Sequence, residues 1–246
     1  MSALKGKTAL ITGGSRGIGA EAALMLAEQG ADVAFTYVSS RQQADELVGR
    51  IAGTGARGLA IQADSIDPAA VTSAVERAAE AFGQVDILVN NAAATLFGPI
   101  GTMSVDDIDR VLAINVRSTI VAVQAALGHM PDGGRIITVG SNVADRMPFL
   151  GGALYAASKS ALQGLNRGLA RELGPRNITA VVVQPGPTDT DGNPADAPHA
   201  AQAIAHIALG RYGQSADIAA MIAYLAGEGG RHVTGTTITI DGGLNA

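Results

Sequence analysis

Seven short, almost uninterrupted apolar runs recur along this chain, and stretches of helical periodicity separate them. The runs lie near 8–12, 32–37, 58–62, 86–90, 135–140, 178–184 and 236–241. Helical patterns lie near 17–29, 41–53, 68–82, 104–130, 153–174 and 215–226, and Asp67 followed by Pro68 reads as a helix start. Strands that are apolar along their whole length need cover on both faces, and helical crossovers supply it, so the sheet is expected to be parallel. At 246 residues and 47% hydrophobic, the chain can bury one large core, so the expectation is a single domain over 1–246. That architecture is α/β: a doubly wound, seven-stranded parallel sheet with helices on both faces. In such sheets ligands bind at the carboxyl ends of the strands.

The first strand-to-helix turn carries the first chemical signal. Thr12-Gly-Gly-Ser-Arg-Gly-Ile-Gly19 joins the first apolar run to a helical pattern, with glycines at 13, 17 and 19. Glycines permit positive φ and close backbone approach, and the free N–H groups of a helix start attract an anion. The bland reading is a tight packing turn. With strand and helix both in place, the loop is expected to cradle the phosphates of a dinucleotide. Gly6-Lys7-Thr8 resembles the end of a P-loop, but it precedes its strand, so ATP hydrolysis is disfavoured.

The second signal is Tyr155 and Lys159, four residues apart, with Ser141 upstream at the end of an apolar run. Helical spacing places the phenol and the ammonium on one face. A free phenol ionises near pH ~10, and a neighbouring cation is expected to pull it toward neutrality.

Other signals are exclusions. Cysteine is absent, which removes disulfides and thiolate sites. The formal charge of −5 offers no basic field for nucleic acid or anionic lipid. No apolar run approaches the roughly 18 residues of a membrane span, and the residues before the first strand leave no room for a signal peptide. A soluble, cytoplasmic protein is expected. His129, His199, His206 and His232 lack metal-ligand spacing, so no metal is expected.

Together these motifs resemble the short-chain dehydrogenase/reductase family over essentially the full length, which implies a Rossmann-type fold. The glycine loop, Asn90-Asn91-Ala92, the series Asn115, Ser141, Tyr155 and Lys159, and Pro185-Gly186 match in order and spacing. Ala93 departs from the pattern, where glycine is usual. The resemblance implies that Tyr155 exchanges the proton and Ser141 orients the substrate carbonyl. Lys159 would hold the nicotinamide ribose and depress the Tyr155 pKa, and Asn115 would position a relay water from a bent helix. Gly13, Ser15, Arg16, Gly17, Ile18, Gly19, Tyr37, Asp64, Ser65, Asn91, Ala92, Pro185, Gly186 and Thr188 would contact the cofactor, Asp64 at the adenine and Thr188 at the carboxamide.

An acid about 20 residues past the glycines marks NAD sites. None stands at Tyr37-Val-Ser-Ser-Arg41; Arg16, Ser39, Ser40 and Arg41 offer donors for a 2′-phosphate instead, so NADP(H) is expected. Ser39 and Ser40 also suit helix capping.

Similarity is closest to bacterial 3-oxoacyl-carrier-protein reductases and stand-alone ketoreductases, implying a small carbonyl substrate. Substrate choice is assigned to 93–98, 142–152 and a lid at 187–210, with Leu96, Phe97, Val143, Met147, Phe149 and Leu150 as apolar lining. Arg146 either receives an anionic tail or sits in solvent. At 3% aromatic content no stacking platform stands out. A cyclic-di-GMP-binding branch of the same fold, linked to biofilm dispersal, is the alternative resemblance. The family also implies a homotetramer, with Ala122, Ala125, Ala126, Ala161, Leu162 and Leu165 suited to helix packing between subunits.

Overall fold

The computed structural model describes residues 3–246; Met1 and Ser2, at the start of the segment considered for a signal peptide, lie outside it. Seven parallel strands form one sheet: β1 (Thr8–Ile11), β2 (Asp32–Tyr37), β3 (Gly58–Gln62), β4 (Ile87–Asn90), β5 (Arg135–Val139), β6 (Thr179–Pro185) and β9 (Thr237–Ile240). Their order is β3-β2-β1-β4-β5-β6-β9, so chain direction across the sheet reverses between β1 and β4. Ala9 pairs with Val33 on one side and Ile87 on the other, which sets the register at that reversal. Every residue of β1, β4 and β6 is buried, as uninterrupted apolar runs require.

Helices cover both faces. On one, α1 (Gly17–Glu28), α2 (Arg41–Gly53) and α8 (Ser215–Ala226) bury Ala23, Leu26, Leu47, Ile51, Ile218 and Ile222 against the sheet. On the other, α3 (Pro68–Phe82), α5 (Ser118–Ala126) and α6 (Ala153–Leu173) enclose Leu10, Val75, Ala78, Leu88, Ala122 and Ile136. The start of α3 follows its sequence signal: the Asp67 carboxylate accepts from the Ala69 N–H at 2.9 Å, with Pro68 in the first turn.

The structure differs from expectation in three places. The pattern at 104–130 is interrupted: α4 (Val105–Leu112) and α5 are joined by a π-helical turn, Ala113–Arg117, centred on Asn115. The lid segment contains a helix outside the helical patterns, α7 (Ala200–Ile204), beyond which the Leu209 N–H bonds the Gly242 carbonyl and Ile207 joins Tyr212 and Leu244 in a small core. Two strands of two residues each, β7 (Thr188–Asp189) and β8 (Gly213–Gln214), pair in parallel outside the main sheet.

Candidate functional site

Along the carboxyl edge, astride the β1/β4 reversal, runs a cleft of about 460 Å³. Its first end is the glycine loop. Gly13 has φ +63° and Gly17 φ +53°, values that favour glycine. The Gly13 and Gly14 N–H groups donate to the Thr36 hydroxyl and carbonyl at 2.9 and 2.8 Å, which fixes the loop on β2. Asn91 locks it from β4, its amide donating to the Thr12 and Gly13 carbonyls at 3.0 and 2.8 Å. No side chain caps α1, so its first N–H groups remain available to an anion at the cleft floor.

Ser15, Arg16, Gly17, Ile18, Tyr37, Ser39, Ser40, Asp64, Ser65, Asn91, Ala92, Pro185, Gly186 and Thr188 all line this cleft. Two expected contacts do not. Gly19 packs behind the loop, where an added Cβ would stand 2.6 Å from the Asn91 amide and the Gly13 carbonyl oxygen. Arg41 points along its own helix and pairs with Asp45 at 3.2 Å, one turn on. Ser40 occupies the start of α2, but its side chain makes no capping bond, which leaves the hydroxyl free toward the cleft. Among the described residues, Asp64 and Asp191 are the only carboxylates on the wall. Asp64 also accepts from the Ile66 N–H at 3.0 Å and so shapes its own turn. Thr36 was not singled out from the sequence, and Thr95 and Thr190–Asn193 entered only as parts of 93–98 and the lid, since strand, loop and lid share no local motif. Ala93 lines the cleft with ordinary negative φ, so its Cβ causes no backbone strain.

The other end holds Ser141, Tyr155 and Lys159. Lys159 is 2% exposed; its ammonium donates to the Val139 carbonyl at 2.9 Å and lies 5.8 Å from the Tyr155 ring centre. Burial pushes its pKa down to about 8. Tyr155 behaves against expectation. Burial raises its pKa, and the Ser141 and Thr95 hydroxyls only partly oppose that rise. Desolvation, not the lysine, sets the direction of the phenol's shift.

Asn115 lies behind these groups, 1% exposed. Its carbonyl oxygen accepts from the Ala94 N–H at 2.7 Å, and its amide donates to the Ala94 carbonyl and Ser158 hydroxyl, both at 2.9 Å. The side chain therefore clamps the loop that carries Thr95. π-turns of this kind are frequent at functional sites.

The lysine gives a testable pH dependence. Between pH 8 and 10 the folded chain has released the Lys159 proton while the unfolded chain still holds it, so stability rises with pH. Above about pH 10 the raised Tyr155 acts in the opposite sense, since the unfolded phenol ionises first. Denaturant midpoints at pH 7.5 and 9.5 should therefore show wild type gaining relative to Lys159→Met. Identical pH slopes for the two would contradict the assignment.

Comparison with known proteins agrees with this arrangement. A family model described as enoyl-(acyl carrier protein) reductase matches residues 13–245. The chain belongs to the short-chain dehydrogenase/reductase family. The cyclic-di-GMP-binding biofilm dispersal mediator protein of Escherichia coli K12 is 47% identical over 246 residues, covering 100% of both chains. A short-chain dehydrogenase from Burkholderia cenocepacia, solved in complex with NADP, is 54% identical, covers 99% of this chain and 100% of its own, and superposes with a TM-score of 0.98. BdcA in complex with NADPH is 48% identical, with a TM-score of 0.91 over 98% of this chain and 95% of its own. Among the described residues no helix is long and apolar enough to cross a membrane, and no cluster of metal-ligating side chains occurs.

Proposed function

We propose that this member of the family is an NADP(H)-dependent oxidoreductase that reduces a ketone to an alcohol. The observation that carries the reading is one continuous cleft. It joins an uncapped helix start and glycine cradle to a buried phenol, ammonium and hydroxyl. The wall residues fit a phosphorylated dinucleotide. Arg16 makes no ion pair among the described residues, Ser39 and Ser40 line the same cleft, and no acid stands at the end of β2. The cofactors held by the Burkholderia enzyme and BdcA support the same choice.

When bound, the reduced nicotinamide supplies the hydride. Ser141 donates to the carbonyl oxygen and fixes its orientation. Tyr155 gives up its phenolic proton to that oxygen as the carbonyl π bond opens and the new C–H bond forms. The phenol is protonated through the neutral range, and burial, by raising its pKa, makes it a weaker acid than a free tyrosine. Lys159 would hold the nicotinamide ribose through its ammonium, and loss of its proton above about pH 8 would weaken that contact. Asn115 fixes the Thr95 loop, and its backbone carbonyl, which accepts from the Thr119 hydroxyl at 3.3 Å in the widened turn, would be the acceptor for a relay water. Residues 187–210 form a lid: Thr190 packs over Gly17, and Asn193 bonds the Thr188 carbonyl at 3.3 Å.

Arg16 tests the cofactor assignment. Fluorescence titration of Arg16→Ala should show NADPH affinity falling about tenfold or more while NADH affinity changes little. Equal losses would remove Arg16 from the phosphate site. The reaction itself is tested by NADPH oxidation across a ketone panel, run beside equilibrium binding of cyclic-di-GMP, the ligand in the Escherichia coli relative's name. Turnover supports the oxidoreductase; tight dinucleotide binding without turnover supports sequestration.

A homotetramer fits the surfaces with a changed residue list. Ala122, Ala126 and Leu162 are buried within the chain, whereas Val105, Leu112, Ile120 and Ala161 are exposed along α4–α6. Light scattering should give four chains; a monomer would contradict this.

A further inference from the structure

We propose that Phe97 and Phe149 form an aromatic wall beside Tyr155 that selects ketones bearing a flat aryl group on the carbonyl carbon. The inference deepens the reductase reading and rests on it. The chain has four phenylalanines, four tyrosines and no tryptophan, yet three of those eight rings meet at this one place. Phe97 stands edge-on to Tyr155, with ring centres 5.6 Å apart and planes at 67°. Phe149 stands edge-on to Phe97 at 5.3 Å and 68°.

These arrangements are the favourable ones for aromatic quadrupoles, and they leave ring surface free. Phe97 and Phe149 are each 49% exposed, and Ile100 and Leu150 beside them in sequence are also exposed. Exposed apolar surface packed against Tyr155, a residue of the cleft wall, is the mark of a ligand contact.

The wall is preformed. The two rings come from separate loops, 93–98 and 142–152, joined by the Gly98 N–H donating to the Gly151 carbonyl at 2.9 Å. Gly151 adopts φ +84°, and an added Cβ would stand 3.1 Å from the Gly98 nitrogen, so only glycine allows this approach. A fixed surface loses little entropy on binding.

No charged side chain belongs to the wall itself. Arg146, considered above for an anionic tail, donates to the Leu244 carbonyl at 2.9 Å, and Asp145 accepts from Gln163 at 2.7 Å. The nearest charges in sequence are thus engaged elsewhere, which favours an uncharged aryl substituent over a carboxylate or phosphate tail.

The test compares acetophenone with cyclohexyl methyl ketone, which share a carbon skeleton and differ in ring planarity. In Phe97→Leu and Phe149→Leu, which keep the site apolar, the aryl-to-cycloalkyl ratio of kcat/KM should fall about 3- to 10-fold. A fall for the cycloalkyl ketone as large as that for the aryl ketone would mark a general loss of packing at Tyr155 and overturn the wall. Unchanged ratios in both folded variants would overturn the wall. If wild type turns over neither ketone with NADPH, the reductase reading fails by itself. The wall is then judged by NMR titration of the two ketones against the NADP-loaded protein. An aryl preference lost in the variants supports it, and equal affinities overturn it.

Discussion

Tyr155→Phe should lower kcat for ketone reduction by about 10²- to 10⁴-fold while leaving NADPH affinity nearly unchanged. The substitution removes one oxygen and keeps the ring that contacts Phe97 at 5.6 Å and Lys159 at 5.8 Å. Packing therefore persists, and the loss reports the proton alone, within the range expected of a positioned general acid. Because burial holds the phenol protonated, the wild-type rate should also stay flat in its acid through neutrality. Stopped-flow NADPH oxidation at saturating ketone separates this effect from binding. A variant within about tenfold of wild type would show that water or another group supplies the proton.

Gly19→Val should weaken NADPH binding by about 100-fold without touching any group at the reacting end. Gly19 does not reach the cleft, but any Cβ there would stand 2.6 Å from the Asn91 amide and the Gly13 carbonyl and 3.0 Å from the Gly14 backbone. Relief requires moving the helix start or breaking the Asn91 bonds that hold the loop, and a displacement of about 1 Å is enough for such a loss. Overpacking should cost about 1–3 kcal/mol of stability as well. Gly19→Ala, whose Cβ meets the same atoms without the further methyl groups, should lose affinity in the same direction to a smaller extent. The check is calorimetric titration with NADPH alongside thermal melting. Unchanged affinity in a destabilised variant would restrict Gly19 to packing.

Sequence pattern located the core elements well where local signals were strong. The expected helices at 41–53, 68–82 and 215–226 coincide with α2, α3 and α8. The Asp67-Pro68 start and Gly83, at φ 95°, bracket α3 with signals a single sequence displays. The interruption at Ala113–Arg117 carries no proline or glycine, so periodicity ran straight through it; only the family resemblance of Asn115 indicated a bend. Strands β7 and β8 are too short to form an apolar run. Arg41 and Arg16 look equivalent as nearby cations. Only the helix direction of α2 turns Arg41 to Asp45 and away from the cleft.

The reacting groups were legible as types and spacing, but their environment was not. Tyr155 and Lys159 share a helix face as spacing required. Yet the sign of the phenol's pKa shift depends on burial by loops distant in sequence, and Thr95 reaches it only because Asn115 clamps Ala94. Phe97 and Phe149 were legible as apolar lining, but their meeting with Tyr155 was not, for the same reason. A 3% aromatic content argues against a stacking surface until folding brings Phe97, Phe149 and Tyr155 together.

The most direct test of the account is isotope transfer. The protein is incubated with acetophenone and NADPH carrying deuterium at C4, each face labelled in turn, and the alcohol is analysed by mass spectrometry. The account predicts one deuterium on the carbinol carbon from one face only, with stoichiometric NADP⁺. An alcohol without label from either face, or no alcohol from a protein that binds NADPH, would contradict it.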